Sequence, residues 1–133
     1  MRLHHVGIVV RDLREYSASC VAFLGLHPAT EVFHDPIQKV RVQFWRDDTG
    51  HLLELVEPAA PDSPVNEALR KGGGLNHLCF EVDDIETDLR AALDRGALPV
   101  TGIAPAVAFE GRRIAFLFLP DLNLVEFVEA ARE

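Results

Sequence analysis

The chain has 133 residues, enough for one domain with a sizeable core, and is nearly half apolar and a quarter charged. Its formal net charge of -8 offers no basic stripe to meet phosphates, which sets a nucleic-acid partner aside. No apolar run approaches the roughly 20 residues of a membrane span, and two cysteines are too few for a disulfide framework.

The opening stretch, "LHHVGIVV", is short and rich in β-branched residues and reads as a strand. It returns to charge too promptly for a signal peptide, so a cytoplasmic location is expected, with Cys20 and Cys79 as buried thiols. "RDLREYSASCVAFLGL" places Leu13, Tyr16, Cys20, Val21 and Leu24 at helical spacing, with Asp12 as N-cap and Gly25 as the stop. "ATEVFH", "KVRVQFW" and "HLLELVE" read as three further strands, the last two separated by the turn signal "RDDTG". A proline-rich connector, "PAAPDSP", leads to a short helix, "VNEALRK". Gly72, Gly73 and Gly74 then lack the lysine and hydroxyl of a phosphate-binding loop and read as a helix stop. The second half repeats the first: strand "LNHLCFEV", helix "DDIETDLRAALDRG", and strands "AVAFE", "RRIAFLFL" and "NLVEFVE".

The repeat has a fixed offset of 72 residues, as 77 minus 5 shows for the two histidines that head the first strand of each half. Val10 falls on Val82, Asp12 on Asp84, Arg41 on Arg113 and Phe44 on Phe116. The same offset carries His5 to His77 and Glu54 to Glu126, polar residues inside apolar strands. Two copies packed about a pseudo-two-fold bring equivalent positions together, so two imidazoles and two carboxylates are expected around one point. That donor set suits a borderline divalent ion such as Co, Ni, Mn, Zn or Fe and leaves coordination positions for water or substrate. His4 is the competing first ligand, but it maps to Asn76 and alternates to the other face of the strand.

Across essentially its whole length the chain resembles the vicinal oxygen chelate superfamily, the glyoxalase, bleomycin-resistance and extradiol dioxygenase group. The resemblance implies an α+β fold of two tandem βαβββ modules forming an incomplete mixed β-barrel around a metal site. Residues 1–133 would be one such domain, with module 1 at about 1–58, a connector at 59–74 and module 2 at about 75–130. It implies His5, Glu54, His77 and Glu126 as the metal ligands. The stretch "ELVEPAAPDSPVNEALRKGGGLNHLCFEVDDIE" is most similar to the methylmalonyl-CoA epimerase branch.

That branch implies a metal-dependent epimerase or isomerase moving an α-proton on a malonyl-type acyl thioester. Glu126 is the first candidate for the base and Glu54 for its opposite-face partner. Gln43, Ser63, Lys71 and Arg113 are candidate substrate contacts, with an acyl-CoA as the implied small-molecule substrate. The third strand, "QKVRVQFW", offers Gln38, Arg41 and Gln43 but no carboxylate for the second base that some of these enzymes place there. Alternatives are a glyoxalase I-type lyase and a non-catalytic small-molecule binding or resistance protein. An extradiol dioxygenase would have a histidine where this chain has Glu54. Open sheet edges also lead to the expectation of a homodimer.

Overall fold

The structure is a computed structural model describing residues 1–131. Two compact units make up the chain: His5–Asn76 form one, and His77 onward, together with Met1–His4, form the other.

In the first unit, β1 (Arg2–Val9) lies parallel to β5 (Leu52–Pro58), with Gly7 opposite Glu54. Next to β5, β4 (Val40–Arg46) is antiparallel, with Phe44 opposite Glu54 and Arg41 opposite Glu57. Two short strands, β2 (His27–Pro28) and β3 (Phe33–Asp35), complete the far edge of β4. Strand alternation sends Leu53, Leu55 and Trp45 to one face, where they pack with Val10, Leu13, Cys20 and Leu26 beneath helix α1 (Leu13–Ser19). Asp12 caps that helix by accepting from the Glu15 amide.

The second unit repeats this plan. β6 (Gly74–Val82) is parallel to β10 (Leu124–Glu129), and β10 is antiparallel to β9 (Arg113–Phe118). Short strands β7 (Leu98–Pro99) and β8 (Ala104–Pro105) edge β9. Helix α3 (Ile85–Asp94), capped by Asp84, packs Ile85, Leu89, Ala92 and Leu93 on Val82, Ala115, Leu117, Val125 and Phe127. The expected α+β class and the two βαβββ modules are therefore present. Their sheets are mixed and not closed into a barrel.

Three local expectations are corrected. "AVAFE" is not a strand: Val107–Phe109 form a 3-10 turn, closed by amides of Gly111 and Phe109 donating to the Ala106 carbonyl. Glu110 and Gly111 both take positive φ, so the segment doubles back instead of extending. "ATEVFH" is strand only at Phe33 and His34, in β3; residues 29–32 lie between β2 and β3, where the Thr30 hydroxyl accepts from the Phe44 amide. Thr101 does the same for Phe116 in the second unit. The helix expected to run on to Leu24 becomes a π-turn at Cys20–Leu24, ending at left-handed Gly25. The wider turn rotates Val21 and Leu24 into solvent, leaving Cys20 and Leu26 as the buried members.

The connector carries α2 (Val65–Arg70), and the glycines stop it as expected, the Gly73 amide donating to Ala68. Gly73 has φ +68, and a Cβ there would come within 2.9 Å of the Val9 carbonyl oxygen. Gly73→Ala should therefore destabilise the fold by about 1–2 kcal/mol from the left-handed backbone alone, with the main-chain clash added. Chemical denaturation is the check. Among the described residues no helix is long and apolar enough to cross a membrane.

Candidate functional site

The first unit buries a histidine and a glutamate on the sheet face away from α1. Leu53 and Leu55 point to the helix, so Glu54 between them points the other way, and so does Phe44 directly opposite it on β4. His5, two residues before Gly7 on the neighbouring strand, falls on that same face. Its Nε2 lies 3.4 Å from Glu54 Oε1. The imidazole meets Phe44 edge-on, with ring centroids 5.1 Å apart and planes at 72°. The Thr30 hydroxyl that accepts from the Phe44 amide fixes the strand at this point.

The second unit reproduces the arrangement. Glu126 lies opposite Phe116 on β9 and opposite Cys79 on β6, two residues past His77. His77 Nε2 is 3.2 Å from Glu126 Oε1. Its ring meets Phe116 edge-on, at 5.2 Å and 83°. The four side chains are 1–6 % exposed. A buried carboxylate is costly unless a cation or proton compensates it, and each of these has an imidazole beside it.

The chemistry of each pair fits half of a divalent ion's ligand set. Imidazole nitrogen and carboxylate oxygen are the donors that borderline ions take. Two such ligands at about 2.0–2.2 Å from one ion stand roughly 2.9–3.5 Å apart across tetrahedral or octahedral angles. Both observed separations fall in that interval. Each histidine is held by an aromatic edge, which sets the ring plane without consuming Nε2.

The other residues singled out from the sequence lie elsewhere. The His4 ring meets Phe109 edge-on, with centroids 5.2 Å apart. Gln43 projects from the α1 side of β4, and its amide donates to the Thr30 carbonyl at 3.0 Å. Arg113 projects from the α3 side of β9. There Glu129 takes it in a two-pronged contact and Glu86 adds a third bond. These carboxylates, Glu129 foremost, push the Arg113 guanidinium pKa far above its ordinary value. Lys71 is the exposed residue ending α2. Ser63 is buried in the connector, its hydroxyl without a hydrogen-bond partner among the described residues.

Two features were missed by sequence reasoning. One is the pairing of each histidine with a phenylalanine. The 72-residue match of Phe44 with Phe116 was a signal for it, obscured because third-strand aromatics ordinarily read as core. The other is Asp35, a buried carboxylate at the end of β3 that accepts from the Ile37 and Gln38 amides and from the Gln38 side chain. A "DPIQ" turn carries no sequence signal for burial.

Comparison with known proteins adds a family to this geometry. A "YqjC" chain of Bacillus subtilis, itself uncharacterized, is 34% identical over 134 residues, covering 96% of this chain and 91% of that one. The ethylmalonyl-CoA/methylmalonyl-CoA epimerase of Cereibacter sphaeroides is 31% identical over 124 residues, covering 92% and 91%. Among solved structures, a variant of Streptomyces coelicolor methylmalonyl-CoA epimerase in complex with 2-nitronate-propionyl-CoA superposes with a TM-score of 0.82. It shares 27% identity over 99% of each chain. The model of the Glyoxalase/Bleomycin resistance protein/Dioxygenase superfamily matches residues 4–116. With two βαβββ modules, each holding one buried histidine–glutamate pair, and a match across most of its length, the chain belongs to that superfamily.

Proposed function

We propose that His5, Glu54, His77 and Glu126 together hold one divalent ion, and that the chain is an epimerase of a malonyl-type acyl thioester such as methylmalonyl-CoA. The observation that carries this reading is the equivalence of the two pairs. Each unit buries one imidazole and one carboxylate at matching registers, with nitrogen–oxygen separations of 3.4 and 3.2 Å. Relatives named as methylmalonyl-CoA epimerases support the substrate class.

The ion would supply Lewis-acid polarisation of the thioester carbonyl, making the neighbouring α-proton more acidic. The protein's own part is proton transfer and exclusion of water. Glu126 takes the α-proton from one face of the substrate, and Glu54 returns a proton to the other, which inverts the centre. β4 carries no carboxylate, so the second base is assigned to the first unit's own glutamate. Phe44 and Phe116 hold the imidazoles in fixed planes and line the surroundings with apolar surface, which strengthens electrostatic effects on the developing enolate. Ser63, with its buried hydroxyl, and Lys71, on the connector, are assigned to the substrate's polar groups. Gln43 and Arg113 are already engaged by Thr30 and by Glu86 and Glu129. The active form is assigned to a homodimer, which size-exclusion chromatography with light scattering would test.

The first experiment is metal analysis of protein purified without chelator, beside His5→Ala and His77→Ala. About one divalent ion per chain is expected in the parent and well under half of that in either variant. Incubation of the loaded protein with methylmalonyl-CoA in deuterated water should then place deuterium at the α-carbon and racemise a single epimer. Failure of the parent to take up Co, Ni, Mn, Zn or Fe would overturn the site. Metal uptake without exchange would overturn the enzyme reading and leave a binding protein on the same fold.

A further inference from the structure

The two modules match residue for residue at the metal-type pairs but diverge on the opposite, helix-facing side of the sheet. In the second unit that side is closed. Arg113 on β9 is clamped by Glu129 from β10, with bonds of 3.0 and 2.9 Å, and by Glu86 from the first turn of α3 at 2.7 Å. Leu89 and Ala115 fill the space beside this clamp with apolar packing.

Moving back 72 residues gives the first unit's version. Arg41 stands for Arg113 and Glu57 for Glu129, and the two face each other in the same antiparallel register. Arg14 stands for Glu86, a reversal of charge at the same helical position. Ser17 stands for Leu89 and Gln43 for Ala115, so polar side chains replace apolar packing.

The result is a cavity of about 540 Å³, lined by Asp12, Leu13, Arg14, Ser17, Arg41 and Gln43, with Glu57 and Val32 completing it. That volume is in the range of small-molecule pockets. Among the described residues neither Arg14 nor Arg41 closes an ion pair, although Arg41 lies within Coulombic range of Glu57. Burial pushes the Glu57 carboxyl up from the ordinary range, with the Asp12 charge adding to it, against the pull of Arg41 and the Leu13 amide. Asp12 is committed to the Glu15 amide and the Ser17 hydroxyl to the Leu13 carbonyl. Gln43, which also lines the cavity, spends its amide nitrogen on Thr30 and has its side-chain oxygen left as an acceptor.

From this comparison of the two copies we infer that the cavity beneath α1 is a binding site for a small carboxylic acid. Its carboxylate would lie between Arg14 and Arg41, taking the place that Glu86 fills in the second unit. The rest of the molecule would lie against Leu13 and Val32, with a donor group reaching Gln43. Because Arg41, Gln43 and Glu57 alternate with Phe44 and Glu54 along their strands, the site is on the opposite sheet face from the histidine–glutamate pair and does not depend on the proposed epimerase reaction. Arginine is suited to such a task, since its planar donors match a carboxylate in two-pronged geometry.

The test is an NMR titration of the whole ¹⁵N-labelled chain with propionate and, separately, with inorganic phosphate. Propionate should move the side-chain Nε–H signals of Arg14 and Arg41 and the backbone amides of Ser17 and Gln43 in a saturable way. Arg14→Gln should weaken that binding about tenfold, the loss of one charge-assisted bond. Arg14→Glu is the decisive variant. It installs the carboxylate of the second unit, so it should abolish propionate binding and raise the midpoint of thermal unfolding. Absence of saturable shifts in the parent would overturn the site, as would unchanged binding in Arg14→Glu. Saturation by phosphate without propionate would overturn the carboxylate assignment.

Discussion

Glu126→Gln is expected to slow α-proton exchange on the methylmalonyl-CoA epimer that Glu126 deprotonates by about 100- to 10,000-fold, the usual contribution of a positioned general base. Glutamine keeps the shape of the side chain and an oxygen donor beside His77, so metal content should fall far less than activity. Glu54→Gln separates the two bases further. If each glutamate serves one face of the substrate, removing either blocks inversion. The surviving base still exchanges the proton of one epimer with retention. Deuterium incorporation followed separately for each epimer, with metal content measured on the same samples, reads both effects. Unchanged exchange for both epimers in Glu54→Gln would count against a two-base mechanism and leave Glu126 alone with the chemistry.

The largest stability effect is expected at Leu117. It is fully buried on β9, within the cluster formed by Val82, Ile85, Ala115, Val125 and Phe127. Leu117→Ala should cost about 2–5 kcal/mol, toward the upper end if the strand cannot collapse into the space. Ala115 beside it has little side chain to move into the void, so partial collapse is unfavourable. A fall of roughly 10 °C in the thermal midpoint follows for a chain of this size. Leu55 is the fully buried leucine beneath α1, but it has Trp45 and polar Gln43 on the adjoining strand and the open cavity close by. Leu55→Ala should therefore be milder, and calorimetry on both variants would show the difference.

Much of this architecture was legible because the chain was written twice. A single glutamate between leucines, as at Glu54, is ordinary on a half-exposed strand. The same residue returning at Glu126, with a histidine 49 residues before each, is not. Strand alternation then fixed the faces that Leu53, Glu54 and Leu55 take, and the helix cap at Asp12 came out as read. What escaped depended on backbone detail that residue type does not encode. Nothing in "SASCVAFLGL" marks the change from α to π winding that exposes Val21 and Leu24. Nor does "AVAFE" differ from a strand until Glu110 and Gly111 adopt positive φ. The outer cavity escaped for another reason. Arg41 and Arg113 were matched by the repeat, but the significance of Arg14 lies in what its counterpart touches, and only contacts reveal that.

The way Met1–His4 belong with the later unit has a consequence for how the protein is made. Arg2 bonds Glu81 and Asp83, partners 79 and 81 residues further along, and Arg112 grips Glu81 from the other side. At translation rates of about 5–20 residues per second, Arg2 waits roughly 4–16 s for those partners to be synthesised. The second copy thus cannot complete itself from its own stretch of chain, however early the first one folds. An affinity tag fused ahead of Met1 would accordingly be felt in the C-terminal half of the protein.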